Sequence, residues 1–319
     1  MFQRIVDGIV IFFKENMGIL IGFFAICVFL TIISPVFITQ KNILNVLRQV
    51  STNLYIAFGM TIIIILGGID LSVGSVVALS GVVTGGLIAF NGFPVYSAIM
   101  MGVLSGLIIG FINGFILSKT TIPPFIVTLA TMNIARGAAY VYTGGQPIRV
   151  MSDHFNFIGA GYIGQLPVPI IYLVILLLVC FVIMYKTKLG RYIYAVGGNR
   201  QAAQFSGIKV NRVIFFAYIF AGFLASVSGI VLASRMFSGQ PTAGQGAEMD
   251  AIAAVVLGGT SMSGGVGKIG GTVIGGLVIG VLNNGLNLLR VSSFWQYIVK
   301  GLVILIAVYT DYLKKKKTD

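Results

Sequence analysis

Charge is what this sequence has least of. Asp, Glu, Lys and Arg make up only 9% of its 319 residues, while 57% are hydrophobic. An ordinary soluble chain carries about 25% charged residues. So few charges cannot cover a water-facing surface, and most of the chain must face lipid or its own helices. Histidine occurs once, as His154, and the two cysteines, Cys27 and Cys180, lie inside apolar runs. Neither cysteine has a Cys or His at metal-ligand spacing. That argues against a zinc site or a disulfide framework and leaves both as small packing residues. No metal and no cofactor is expected. H-E-x-x-H and G-x-S-x-G are also missing, which argues against an intramembrane protease or hydrolase. Ser263-Gly264-Gly265-Val266-Gly267-Lys268-Ile269 shares part of a phosphate-binding loop. Met262 stands at its first Gly, however, and Ile269 follows the lysine where Ser or Thr is required, so the chain is not expected to bind ATP by itself.

Long apolar runs are what the sequence does have. Lipid cannot pair with backbone N–H and C=O groups, which leaves helices and closed barrels as spanning structures. Barrel strands alternate apolar and polar residues, whereas Ile62 to Leu66 and Ile171 to Met184 are continuous. The fold class is therefore all-α, a polytopic membrane helical bundle. About ten spans are expected, near residues 17–34, 50–66, 71–90, 94–117, 125–142, 168–185, 213–233, 248–259, 269–289 and 296–312. The eighth is too short to cross as a straight helix and reads as a broken or re-entrant segment. The run Met17 to Ile33 lacks an A-x-A-like cleavage site, so it reads as a retained span and not a cleaved signal peptide. Ahead of it, Phe2, Ile5, Val6, Ile9, Val10 and Phe13 recur at helical spacing. They suit either a helix lying on the membrane surface or the start of the first span.

Positive charge sets orientation. The stretch from Lys186 to Arg212 holds six basic residues and no acidic one, and Lys314 to Lys317 close the chain. With both termini and these stretches cytoplasmic, fourteen Lys/Arg fall inside and five outside, namely Lys41, Arg48, Arg149, Arg235 and Arg290. Arg136 and Lys300 stay within spans. Topology thus accounts for the net charge of +13, and no basic stripe with interleaved aromatics points to nucleic acid. The expected external segments are 143–167 and the turn-rich 238–244.

Glycine is abundant, with 42 residues, and Gly102, Gly106, Gly110 and Gly114 recur every four. Gly267, Gly271 and Gly275 do the same. Such spacing lets helix backbones approach closely. Residues 66–74 also echo residues 257–265, and 83–87 echo 273–277, a pattern of Gly-interrupted segments found in the two halves of transporters.

The sharpest local feature is Gly67-Gly68-Ile69-Asp70-Leu71-Ser72-Val73-Gly74-Ser75. A carboxylate among apolar residues is costly in a membrane. Two glycines ahead of it break the helix, so Asp70 or Ser72 can cap the third span, and Asp70, Ser72 and Ser75 are also candidates for a gate or pathway element. Arg136 inside the fifth span must face protein or water, with Asp70 or Asp250 as possible ion partners; Arg136 and Asp250 join the pathway candidates. In the basic segment, Asn199 can cap a short helix over 200–206 that Gly207 ends. That helix could seat in a groove on a soluble partner.

Several of these motifs together resemble one family, the permease subunits of bacterial ABC-type monosaccharide importers. Gly68 to Ser75 carries the resemblance. So do Leu189-Gly190-Arg191-Tyr192-Ile193-Tyr194-Ala195 running into Gly197-Gly198-Asn199, Gln240-Pro241-Thr242-Ala243-Gly244, Asp250 to Ser261, and Leu282 to Leu289. The resemblance covers nearly the whole chain and leans toward the members that carry ribose. It implies a single permease domain over 1–319 in the bacterial cytoplasmic (inner) membrane, forming a homodimer. Two ATP-binding ABC subunits would dock inside and a sugar-binding protein outside. Segment 186–212 then becomes the cytoplasmic coupling loop, with Gly198, Asn199, Arg200, Gln201, Ala202, Ala203, Ser206 and Gly207 as the ATPase contact. Arg149, Arg235 and Arg290 become candidate contacts for acidic patches on the binding protein. ATP hydrolysis is expected on the partner subunit. The rival readings are a permease for another small sugar, an ion-coupled transporter using Asp70 or Asp250, and a membrane enzyme, for which the sequence shows no catalytic constellation. The N-terminal tail and the loop 143–167 depart from the family pattern.

Overall fold

A computed structural model describes residues 17–316; the segment around Phe2 to Phe13 and Lys317 lie outside them. The described residues are mostly helical. The helices are α1 (Met17–Ile33), α2 (Gln40–Ile65), α3 (Val73–Ala89), α4 (Val95–Lys119), α5 (Pro124–Thr143), α6 (Asp153–Ala160) and α7 (Val168–Lys186). They continue with α8 (Lys188–Gly198), α9 (Arg200–Phe205), α10 (Val210–Arg235), α11 (Ala247–Leu257), α12 (Ile269–Leu288) and α13 (Ser293–Lys316). Five of them, α2, α4, α7, α10 and α12, are long and apolar enough to cross a membrane. α1, α3 and the first part of α13 are apolar but shorter.

Each expected span coincides with a helix, and the differences lie at the ends. α2 starts ten residues earlier than its apolar run. Thr39 caps it by accepting from the Asn42 N–H at 3.4 Å. Asn42 Nδ2 then donates to Asn284 Oδ1 of α12 at 3.0 Å, and Asn284 Nδ2 donates back at 2.9 Å. This reciprocal amide pair lets a polar first turn enter the bundle. From Leu54 to Ile65 every residue of α2 is buried, which explains why this helix is apolar all round. α11 is only 11 residues long, or about 16 Å at 1.5 Å per residue, half of a bilayer core.

The four-residue glycine repeat of α4 packs on α10. A Cβ at Gly106 would lie 2.6 Å from the Gly222 carbonyl oxygen, and one at Gly222 would lie 2.4 Å from that of Gly106. Only hydrogen at both positions allows this contact. The 66–74 and 257–265 echo is also physical. Gly67 and Gly259 take φ +79° and +83°. At both places a residue one further on donates back five residues, Gly68 N–H to Ile63 O and Thr260 N–H to Val255 O. The same helix ending is thus used twice, one residue out of register with the letter match.

The two ends of the bundle gather different segments. At the end where α2 finishes and α10 starts, the Gly265 N–H donates to Ile65 O at 2.8 Å. Tyr194 Oη donates to Gly267 O at 2.8 Å there. At the other end, Ile148–Arg149 (β1) pairs antiparallel with Ser238–Gly239 (β4). Tyr162–Ile163 (β2) and Leu166–Pro167 (β3) form a small hairpin nearby, against whose Tyr162 ring Arg48 stacks at 4.7 Å. The loops at 143–167 and 238–244 were expected as separate turns; they are joined by a strand pair, and 153–160 is helical because Ser152 caps it from Phe155 N–H.

Candidate functional site

Asp70 sits in the turn between α2 and α3 and is 1% exposed. Its Oδ1 accepts from the Ser72 N–H at 2.8 Å and from Ser72 Oγ at 2.6 Å. Asn113 of α4 donates from Nδ2 to Ser72 Oγ at 3.0 Å, and Thr131 of α5 donates to Asn113 Oδ1 at 2.7 Å. Asn113 lies six residues from the end of α4 and Thr131 seven from the start of α5, so the chain of bonds sits roughly 10 Å in from that end. Asp70 therefore holds the turn ahead of α3, and Ser72, at the N-cap position, makes no side-chain cap bond. The capping expectation is met in part: the Asp70 carboxylate accepts from the Ser72 N–H and orders the turn, while the Ser72 side chain gives no cap. Ser75 is buried one turn further on.

Arg136 pairs with neither Asp70 nor Asp250, the two possible ion partners named from the sequence. Its Nη1 donates to the carbonyls of Pro241 and Ala243, both at 2.7 Å, and its Nη2 to Gly74 O at 3.2 Å. The reason lies in the backbone. Segment 240–246 is non-helical yet runs along α3, where a Cβ on Gly244 would come within 2.5 Å of Gly74 O. Carbonyls of packed, non-helical backbone need donors from the protein, and the planar guanidinium fork meets two of them and the Gly74 carbonyl at once. Asp250 has a different partner. Lys300 Nζ of α13 lies 3.0 Å from its Oδ2, and Asn283 Nδ2 donates to the same oxygen at 3.2 Å. The pathway candidates thus fall into two neighbourhoods: the start of α3, where the Asp70–Ser72 bonds, Ser75 and the Arg136 contact to Gly74 O lie close along the chain, and the Asp250–Lys300 pair.

The basic segment folds as α8 and α9. Asn199 is extended, at φ −156° and ψ 105°, and its Oδ1 accepts from the Ala202 N–H at 2.9 Å. Gly207, at φ +81°, ends the helix, with the Ile208 N–H returning to Ala203 O. Ala203 is buried and holds α9 to the body, while Arg200, Gln201, Ala202, Ser206 and Gly207 are exposed. Phe205 is 91% exposed, a large apolar side chain presented outward. Space is open around Gly198, whereas a Cβ on Gly197 would strike Ile65 O at 1.8 Å.

The three candidate docking arginines differ. Arg149 in β1 and Arg290, at φ +55°, are exposed. Arg235 is partly buried and donates from Nη2 to Asn45 Oδ1 at 3.0 Å. Among the described residues no group of three or more His, Cys, Asp or Glu could hold a metal ion.

Residues 42–308 match the family described as "Branched-chain amino acid transport system / permease component". The chain belongs to this permease family. It is 51% identical to the ribose import permease protein RbsC of Bacillus subtilis (strain 168), over 97% of this chain and 95% of that protein. It is 48% identical to the protein of the same name from Haemophilus influenzae, over 93% and 94%. It is 41% identical to the D-allose transport system permease protein AlsC of Escherichia coli (strain K12), over 88% and 86%. No solved structure gives a significant match. Family and apolar helices together make the chain a multi-pass protein of the cytoplasmic membrane.

Sequence reasoning overlooked several groups in the permease. Asn113 and Thr131 complete the Asp70 chain, and Lys300 neutralises Asp250. Polar residues inside apolar runs were their only signal. The Arg136 acceptors were invisible because they are main-chain carbonyls.

Proposed function

We infer that this permease is the membrane-spanning subunit of an ATP-driven importer that carries a monosaccharide, ribose before other small sugars. The observation that carries the reading is the near full-length similarity to two ribose import permeases at 51% and 48% identity. The D-allose relative at 41% keeps other aldoses within range. A single domain over 1–319 then spans the bilayer about ten times, with both ends cytoplasmic. The juxtapositions at the bundle ends support that topology. Segments assigned inside by charge, near Ile65, Tyr194 and Gly265, touch one another, as do the segments near Arg48, Ile148, Tyr162 and Ser238 assigned outside.

Two copies of the permease form the pathway, two ATP-binding subunits sit inside, and a sugar-binding protein delivers substrate outside. ATP hydrolysis belongs to the partner subunits. α9 is the coupling helix, and its outward Phe205 and exposed Arg200, Gln201 and Ala202 suit a groove on the ATPase. When the ATPase pair closes, α9 moves as a capped unit and shifts the population between inward- and outward-open forms. The Asp70–Ser72–Asn113–Thr131 chain ties α3, α4 and α5 together, so these helices move as one block and Asp70 serves as a gate hinge. Arg149 and Arg290 face the binding protein, with Arg235 bracing α10 against α2 behind them.

Uptake into proteoliposomes holding the permease with its ATPase tests this. It requires ATP and the binding protein and survives dissipation of ion gradients. Uptake that follows an ion gradient without ATP overturns it.

A further inference from the structure

One buried hydroxyl remains without a role. Tyr218 of α10 is 3% exposed, and its Oη finds no hydrogen-bond partner among the described residues. It points at the glycine turn, since a Cβ on Gly68 would lie 2.7 Å from it. It also lines a cavity of about 320 Å³ whose walls include Gly67, Gly68, Leu117, Thr120 and Arg200. A buried hydroxyl left unpaired is costly, so such a group persists where something else engages it. The volume lies at the lower end of the range for small-molecule sites, about 300–1,000 Å³. The wall combines an apolar face with a few hydroxyl-bearing side chains and a guanidinium, a lining suited to a small neutral polyol. The cavity opens at the end of the bundle that holds Ile65 and the start of α10, beside the first residue of α9.

We propose that this cavity is an inner-side binding site for the transported solute, a small polyhydroxylated molecule, with Tyr218 Oη donating to one of its hydroxyls. The inference rests on the reading of the chain as a sugar permease and deepens it. The site engages the solute at the inward-facing stage, and Arg200 places it in contact with the coupling helix. Tyr218 and Gly68 form a matched pair, because any side chain at 68 would fill the space the hydroxyl faces.

The test uses the permease–ATPase complex in nanodiscs, with Cys27 and Cys180 changed to Ala and a reporter cysteine in place of Ile122. Ile122 is 43% exposed and lines the mouth of the same cavity. A membrane-impermeant maleimide labels the reporter while ribose, or leucine as a control of another chemical class, is titrated in. Ribose slows labelling to saturation and leucine does not. Tyr218→Phe, which removes only the unpartnered oxygen, raises the half-protecting ribose concentration about fivefold, as for one neutral hydrogen bond. Absence of ribose protection, when the same cysteine variant still imports ribose in proteoliposomes, overturns the inference alone. The same protection in wild type and Tyr218→Phe also overturns it. If the unaltered permease with its ATPase imports no ribose into proteoliposomes with ATP and binding protein, the sugar-permease reading itself fails and the inference falls with it.

Discussion

Asn199→Ala offers a clean perturbation of the coupling segment. α9 has six residues, too few to hold as a helix by itself, so its two end caps carry much of its order. Asn199 is exposed, so the change leaves no cavity; its one structural consequence is that the Ala202 N–H loses the 2.9 Å bond to Asn199 Oδ1. Loss of such a cap costs about 1 kcal/mol, a factor of about 5 in the equilibrium between formed and frayed helix at RT ≈ 0.59 kcal/mol. Amide hydrogen exchange of the complex in nanodiscs reads this directly. The amides of residues 202–205 should exchange about fivefold faster, with the spans unchanged. In proteoliposomes the ratio of sugar imported to ATP hydrolysed should fall by a similar factor. Asn199→Asp, which keeps an accepting oxygen, should restore both readouts. Faster exchange with unchanged coupling would refute the assignment of α9 as the mechanical link. Unchanged exchange would refute the argument that the cap orders the helix.

Other outcomes follow from the same geometry. Arg136→Gln strands carbonyls of Pro241, Ala243 and Gly74 inside the bundle and should destabilise the purified permease by on the order of 3 kcal/mol, given ~1.5–3 for one charged hydrogen bond; a melting temperature within a degree of wild type would contradict the clamp. Gly106→Val drives a side chain into the α10 backbone and should cost about 1–3 kcal/mol or more, read as lower thermal stability, whereas Gly198→Val meets open space and should leave stability intact while impairing coupled uptake. Lys300→Met leaves the Asp250 carboxylate facing only Asn283 and should destabilise by about 3–5 kcal/mol, largely rescued by adding Asp250→Asn. Changing Arg149 and Arg290 to Ala should weaken binding-protein docking and flatten its salt dependence; equal affinity at all salt concentrations would remove them from the interface.

The helices were legible because lipid admits few alternatives: continuous apolar runs such as Ile171 to Met184 can only be helix, and α7 forms there. The α9 ends were legible too, since Asn199 and Gly207 carry cap chemistry that acts locally. The α4 glycine repeat announced close packing, though nothing in it named α10 as the partner. What the sequence hid was long-range and polar. Asn42 and Asn284 lie 242 positions apart and meet only after the bundle folds. The charge of Arg136 suggests Asp70 or Asp250 as ion partners, but it binds main-chain carbonyls of Pro241, Ala243 and Gly74, which no side-chain pattern records. α8 is hidden because its basic residues pattern as loop, while its buried Gly190, Ile193 and Val196 share one helical face. The Tyr218 hydroxyl was one polar atom among many aromatics, and only burial singles it out.

The central claim is that this chain is a sugar conduit driven by ATP on a partner. The most direct measurement is labelled-ribose uptake by proteoliposomes containing the permease with its ATPase, with and without ATP and the binding protein, in the presence of an ionophore. The account predicts accumulation that needs ATP and the binding protein and is indifferent to the ionophore. Accumulation abolished by the ionophore, or proceeding without ATP, would contradict it.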